Sequence, residues 1–302
     1  MDRILGLDGG GTKTDAVVIG PAGTVMARQR TEGLDPIESP RWKAVLGDIA
    51  EKMGAVATAV LGLPYHGEIA QISADQTAVA GALFGAGTIV TNDVAVAFEG
   101  ALGGSDGVLV LAGTGSMAWS RGPLGVHRVG GWGPVFGDEG SAYWIGRLAL
   151  TRISQQLDGR REETNFAQAF LLHLGIRAED LIGWANNLDN QRAGIAALAL
   201  AVSQLAQSGD RDAVALMSDA GEHLAQLGQT ARRLSGAPER WSYAGGVMND
   251  PTVQATLAGA MGCAPTQPIL PPVGGALVLA AKAAGWDTGS HFIARLQAAL
   301  CK

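Results

Sequence analysis

Cysteine is nearly absent: only Cys263 and Cys301 occur in 302 residues. Two thiols supply neither a disulfide framework nor an intrachain zinc site, which suits a reducing, cytoplasmic setting. Basic clusters are missing as well. No Lys/Arg run exceeds a pair and the net charge is -6, so there is no electrostatic footprint for a nucleic-acid backbone. No apolar stretch approaches the roughly 20 residues of a membrane-spanning helix, and the opening strand pattern lacks the basic leader and apolar core of a secretion signal. Low-complexity segments are absent, and so is the G-x-x-x-x-G-K-[ST] spacing of a Walker loop. A soluble cytoplasmic protein is expected, with neither nucleic acid nor membrane as partner.

What is present is glycine, 44 residues of it, within a chain that is 47% apolar. That length and composition suit two packed lobes better than one core. Apolar alternation predicts strands over 3–7, 14–19 and 25–30, then a helix to about residue 53 with Ser39 as N-cap and Pro40 at its first position. A strand over 57–63, a helix over 75–84, a strand over 88–91 and a helix over 94–102 complete a β-β-β-α-β-α-β-α order. The pattern restarts at Gly107 with strands over 108–111 and 117–121, a helical stretch over about 140–235 and a strand over 241–244. Gly274 and Gly275 open an apolar helix to about residue 284. The division expected is an N-terminal lobe, 1–104, joined by a closing helix, 288–302, and a C-terminal lobe, 105–287.

The glycines cluster where chemistry would need bare backbone. Asp8 ends the first strand, and Gly9, Gly10, Gly11, Thr12, Lys13 and Thr14 follow. Three glycines between strands let backbone amides approach an anion, a nucleotide phosphate being the natural occupant. Asp8 would reach magnesium through water, because that ion gives up its hydration shell reluctantly. The competing reading of such a turn is a plain hairpin. A second loop, Gly113, Thr114, Gly115 and Ser116, again follows an apolar strand, and its two hydroxyls add donors. Gly245, Gly246 and Met248 form a third site, where purine and ribose could lie.

These loops together resemble the superfamily of actin, hexokinase and the heat-shock chaperone ATPases. The stretch from Gly130 through Trp132, Gly133, Asp138 and Glu139 to Trp144 resembles the signature of N-acetylglucosamine kinases and the BadF/BadG/BcrA/BcrD ATPase family. The resemblance covers essentially the whole chain. It implies an α/β protein of two ribonuclease H-like lobes, the actin-like ATPase fold, each a mixed five-stranded sheet flanked by helices with a cleft between. It also implies an ATP- and magnesium-dependent sugar kinase, dimeric as the family expectation, acting on a hydroxyl of an amino sugar, at carbon six.

By the same resemblance Asp93 is the base that accepts the proton of the attacking hydroxyl, with Asn92 beside it. The bland reading of that dipeptide is an N-cap for the next helix. Asp138 would bind sugar hydroxyls, with Trp132, Gly133, Thr114 and Gly115 lining the sugar. Glu139 reads equally well as a carboxylate at a helix N-terminus. Two segments depart from the family pattern. Asp35 stands where an asparagine usually binds the sugar, and an ionised aspartate accepts but cannot donate, which would suit either a free amine such as that of glucosamine or another hydroxyl pattern. Pro64, Tyr65 and His66 add bulk to a usually smaller stretch, and His66 reads either as a substrate contact or as a solvated loop residue.

Two rival functions share the fold. An ATPase activator of a radical dehydratase would need mid-chain cysteines for an iron-sulfur cluster, whereas both cysteines here lie near the carboxyl end. A non-enzymatic sugar sensor would need an added DNA-binding segment, for which the first strand leaves no room.

Overall fold

The computed structural model describes residues 2–300. Cys301 and the end of the expected closing helix lie outside the described residues. The chain runs β1 (Ile4–Gly9), β2 (Lys13–Ile19), β3 (Val25–Glu32), α1 (Trp42–Met53), β4 (Thr58–Leu63), α2 (Ala70–Phe84), β5 (Thr88–Asn92) and α3 (Asp93–Ala101). Then come β6 (Gly107–Ala112), β7 (Ser116–Gly122), β8 (Gly125–Gly130), α4 (Ala142–Leu157), α5 (Asn165–Leu174), α6 (Leu181–Asn186), α7 (Gln191–Gln207) and α8 (Arg211–Ser235). The last elements are β9 (Trp241–Ala244), α9 (Pro251–Met261), α10 (Pro272–Ala283) and α11 (Ser290–Leu300).

Two compact units result, Met1–Asp106 with Gln267–Lys302, and Gly107–Thr266. The first holds a mixed five-stranded sheet in the order β3-β2-β1-β4-β5. β1 pairs antiparallel with β2 and parallel with β4, so its neighbours bury both of its edges. Its side chains alternate between two cores, as a period of two demands. Ile4 joins Val17, Val60 and Val96 under α10 and α11, while Leu5 and Leu7 join Trp42, Leu46 and Ile49 of α1. Residues 267–287, assigned to the second lobe from sequence, therefore belong to the first unit, because α10 is apolar on nearly every face and packs on β1 and α3. The Ser39 cap does not form: α1 starts at Trp42 with Arg41 in the capping position and no side-chain cap bond.

The second unit has a sheet in the order β8-β7-β6-β9, four strands among the described residues where five were expected. β8 was not foreseen, because its exposed and half-buried residues lack apolar alternation. α8 lies across β6, β7 and β8, and with α4, α5, α7 and α9 it closes one continuous core around Val108, Val110, Phe166, Val202, Leu216 and Trp241.

Candidate active site

In the first unit the chemistry gathers at the carboxyl ends of β1, β4 and β5. β1 carries Asp8, and its parallel partner β4 ends at Gly62 and Leu63, opposite Asp8 and Asn92 respectively. The turn after β1 is pinned by Gly10, whose N–H donates to the Lys13 carbonyl at 3.0 Å and whose carbonyl accepts from the Leu34 N–H at 3.0 Å. A Cβ on Gly33 would collide with the Gly11 carbonyl, so glycine there is what lets the 33–35 segment lie against the loop. Gly11, Thr12 and Lys13 are exposed, whereas Thr14 is buried with a hydroxyl that has no partner.

Asn92 caps α3, its Oδ1 accepting from the Val94 N–H at 2.9 Å. Its Nδ2 donates to the His66 carbonyl at 3.0 Å and to Glu68 Oε1 at 2.9 Å. The capping role set against catalysis thus belongs to Asn92, which ties the 64–68 loop to the helix and has both amide hydrogens engaged inside the protein. Asp93, the first helical residue, stands beside it with Oδ1 on the same Val94 N–H at 2.9 Å.

Burial sets the electrostatics of this end. Asp93 is pushed up to about 6, first by desolvation and then by Glu68 and Asp35, with only N–H groups opposing. Asp8 is pushed up to about 7 by desolvation, then by Asp93 and Asp15, with Lys13 opposing. Asp15 is itself paired with Arg28 at 2.6 Å. Asp35 is buried and turned inward: Oδ1 accepts from the N–H groups of Ile37 (2.8 Å) and Glu38 (3.1 Å), and Oδ2 accepts from the Tyr65 hydroxyl at 3.4 Å. Tyr65 adopts a left-handed backbone, φ 62°, a conformation that costs a bulky residue energy and tends to collect at functional sites. His66 is no free loop residue, since Nδ1 meets Gln76 Oε1 at 3.1 Å while the wholly buried Gln76 donates to the Pro64 carbonyl at 2.9 Å.

The second unit brings its own glycine segments together. A Cβ on Gly245, whose φ is 96°, would collide with the Ala112 carbonyl, so the 245–246 turn lies directly against the start of the 113–116 loop. Thr114 is exposed on that loop, but Ser116 is buried and its hydroxyl donates to the Glu139 carbonyl at 2.7 Å. Ser116 therefore offers an outside ligand no hydroxyl. Met248 is corrected likewise: the turn Gly246–Asn249 points its side chain into the core, where it is fully buried, while Gly245 and Gly246 remain exposed.

Asp138 is 3% exposed, holds φ 58°, and accepts from the Ser116 N–H at 3.5 Å through Oδ1 and from Arg192 Nη2 at 3.1 Å through Oδ2. Desolvation raises its pKa, and Arg192 is the largest opposing influence. Arg192 escaped the sequence reading because α7 lies 54 positions away and no motif marks it. Trp132 is 70% exposed, with the Arg128 guanidinium carbon 5.9 Å from its ring centroid. Gly133 follows it, and its carbonyl accepts from the Gly137 N–H at 3.0 Å. Glu139 is half-buried, two residues ahead of the Ser141 cap of α4.

Known proteins resemble this chain in sequence and in fold. The model of the BadF/BadG/BcrA/BcrD ATPase family matches residues 5–280. An N-acetylmuramic acid/N-acetylglucosamine kinase of Clostridium acetobutylicum is 33% identical over 138 residues, a match that spans 45% of this chain and 45% of that relative. An N-acetyl-D-glucosamine kinase of Dictyostelium discoideum is 28% identical over 247 residues, 74% of this chain and 77% of its own length. A crystal structure of a candidate N-acetylglucosamine kinase from Chromobacterium violaceum superposes with a TM-score of 0.73 at 25% identity, over 92% of this chain and 99% of its own.

Proposed function

We propose that this chain, which belongs to the BadF/BadG/BcrA/BcrD ATPase family, is an ATP-dependent sugar kinase acting on the C6 hydroxyl of an amino sugar such as N-acetylglucosamine or glucosamine. The observation that carries the reading is Asp93: a half-buried carboxylate at the first position of α3, pushed up to about 6 first by desolvation and then by Glu68 and Asp35. A proton acceptor poised just below neutral pH is what attack by an alcohol on a phosphoryl group requires. The likeness to curated sugar kinases supports the same reading.

In this mechanism the acceptor oxygen bonds to the γ-phosphorus as Asp93 takes its proton, the bond to the bridging oxygen breaks, and ADP leaves. Asp93 supplies about 10²- to 10⁴-fold of the rate. Asn92 contributes indirectly by fixing the helix end that aims Asp93. In the first unit the amides of Gly11 and Thr12, and in the second those of Thr114, Gly115, Gly245 and Gly246, would be the donors for nucleotide oxygens, since the Gly10 and Gly113 N–H groups are used within their own loops. Asp138 and Trp132 hold the sugar, the carboxylate accepting from hydroxyls and the ring covering an apolar sugar face.

The donor chemistry fits magnesium, since Asp8 is a hard oxygen ligand whose ionisation is opposed by its carboxylate neighbours and would be relieved by a cation. Among the described residues no group of three or more His, Cys, Asp or Glu side chains is placed to hold a metal ion alone, so Asp8 would share the ion with phosphate oxygens and water. Bound there, magnesium would neutralise charge on the transferring group. No described helix is long and apolar enough to cross a membrane.

The test is a coupled ADP-release assay with magnesium over N-acetylglucosamine, glucosamine, glucose, N-acetylmannosamine and N-acetylmuramic acid, with phosphorus NMR of the product. Acceptor-dependent ADP release giving a 6-phosphate is expected. ADP formed at one rate whatever the sugar would overturn the proposal.

A further inference from the structure

The helical stretch between β8 and β9 delivers a side chain to the Asp138 site. Arg192 stands in the first turn of α7, held by the Asn190 cap, whose Oδ1 accepts from the Ala193 N–H at 2.9 Å. From there the guanidinium meets the Asp138 carboxylate at 3.1 Å. The site is tightly built around that pair. A Cβ on Gly115 would lie 2.9 Å from Asp138 Oδ2 and 3.2 Å from Arg192 Nη2, so a side chain at position 115 would crowd both groups.

Docking of α7 does not need this contact, because Leu198, Ala199, Ala201 and Val202 of the same helix are already buried in the core. The pair also has costs: Arg192 Nε is buried without a partner, and Asp138 holds a left-handed backbone. Unsatisfied donors and strained residues persist where surrounding structure fixes a geometry for use.

We propose that Arg192 is a positioning residue for the sugar acceptor, holding Asp138 ionised and aimed so that the carboxylate accepts hydrogen bonds from the sugar hydroxyls. The inference rests on the reading of Asp138 as an acceptor ligand given above. Burial alone disfavours the charged form of Asp138, and among the groups acting on it Arg192 is the single ionic one; the remainder are the N–H groups of Ser116 and Gly133. A protonated Asp138 would lose most of its value as an acceptor.

The experiment is steady-state kinetics on the whole chain with the panel sugar that wild type turns over fastest, comparing R192M, R192K, D138N and the R192M/D138N double variant. Unfolding temperature and ATP binding are measured on each as a check of folding. Expected for R192M is an acceptor KM raised about 10-fold, as for losing the half-exposed partner of a buried carboxylate. Its kcat and ATP KM should change by less than about threefold, and the acid limb of kcat/KM for the sugar should move to higher pH. R192K should restore most of the KM and the limb, and in the D138N background R192M should add less than about twofold.

An R192M enzyme with unchanged acceptor KM and acid limb, beside a D138N enzyme whose KM rises, overturns the inference and leaves the kinase reading standing. Equal loss of sugar and ATP affinity with a lowered unfolding temperature also overturns it, since that marks a purely structural contact. An unchanged KM in D138N removes the role of Asp138 and the inference with it. If no panel sugar supports turnover, the kinase reading fails first.

Discussion

Each unit withdraws an aspartate from water beside a glycine loop, Asp93 half-buried and Asp138 buried, and the two are treated differently. Asp93 in the first unit is pushed up to about 6, first by desolvation and then by the carboxylates of Glu68 and Asp35. Asp138 in the second unit is even less exposed to solvent, yet a guanidinium sits on one of its oxygens and pulls its pKa back down. Burial is common to both, so the neighbours decide what each group can do. Left without a cation, a buried carboxylate becomes a proton acceptor close to neutral pH; paired with one, it remains an anion and serves as a fixed hydrogen-bond acceptor.

The sharpest challenge to that contrast is Asp93→Asn. Turnover should fall by about 10²- to 10⁴-fold while ATP binding, followed by calorimetry, stays within about threefold of wild type. Retained turnover would remove Asp93 as the base. Next comes Asp8→Asn, which should abolish magnesium-dependent turnover and, in the absence of the ion, stabilise the fold. The sign follows from its raised pKa. The folded state resists ionising Asp8, so the wild-type chain loses stability relative to the variant as pH climbs from about 4 through about 7. Chemical denaturation without magnesium should show the variant ahead by on the order of 4 kcal/mol at pH 8 and by little at pH 4.

A smaller effect is expected for Gly245→Ala, where a left-handed backbone and the Ala112 carbonyl both oppose a side chain. Thermal unfolding should register a loss of about 1–3 kcal/mol, together with weaker nucleotide binding. The smallest stability change belongs to Trp132→Ala. This exposed ring should cost less than about 0.5 kcal/mol in unfolding while raising the acceptor KM. A large loss of stability would recast Trp132 as a packing residue.

The first unit was largely legible in the sequence, because its strands alternate or run continuously apolar between glycine and proline punctuation. β1 through β5 stand within a few residues of where periodicity put them. The second unit was less so. β8 has no apolar face to betray it, and residues 267–287 look alike whether they cover one sheet or the other, since an all-apolar helix carries no directional stripe. At the site, residue types were readable but orientations were not. The inward turn of Met248, the use of the Ser116 hydroxyl on a backbone carbonyl and the engagement of both Asn92 amide hydrogens are all consequences of tertiary contacts. Arg192 was invisible for the same reason: its partner lies in a distant loop, and neither residue's neighbours along the chain hint at the other.

The contrast between the two aspartates is tested most directly by titrating both side chains in one sample, using carbon-13 NMR of aspartate carboxyls assigned through D93N and D138N. Asp93 should show a midpoint near 6, and the midpoint of Asp138, raised by burial and held back by Arg192, should move further upward in R192M. An Asp93 midpoint in the ordinary carboxylate range, or an Asp138 midpoint that does not move in R192M, would contradict the account.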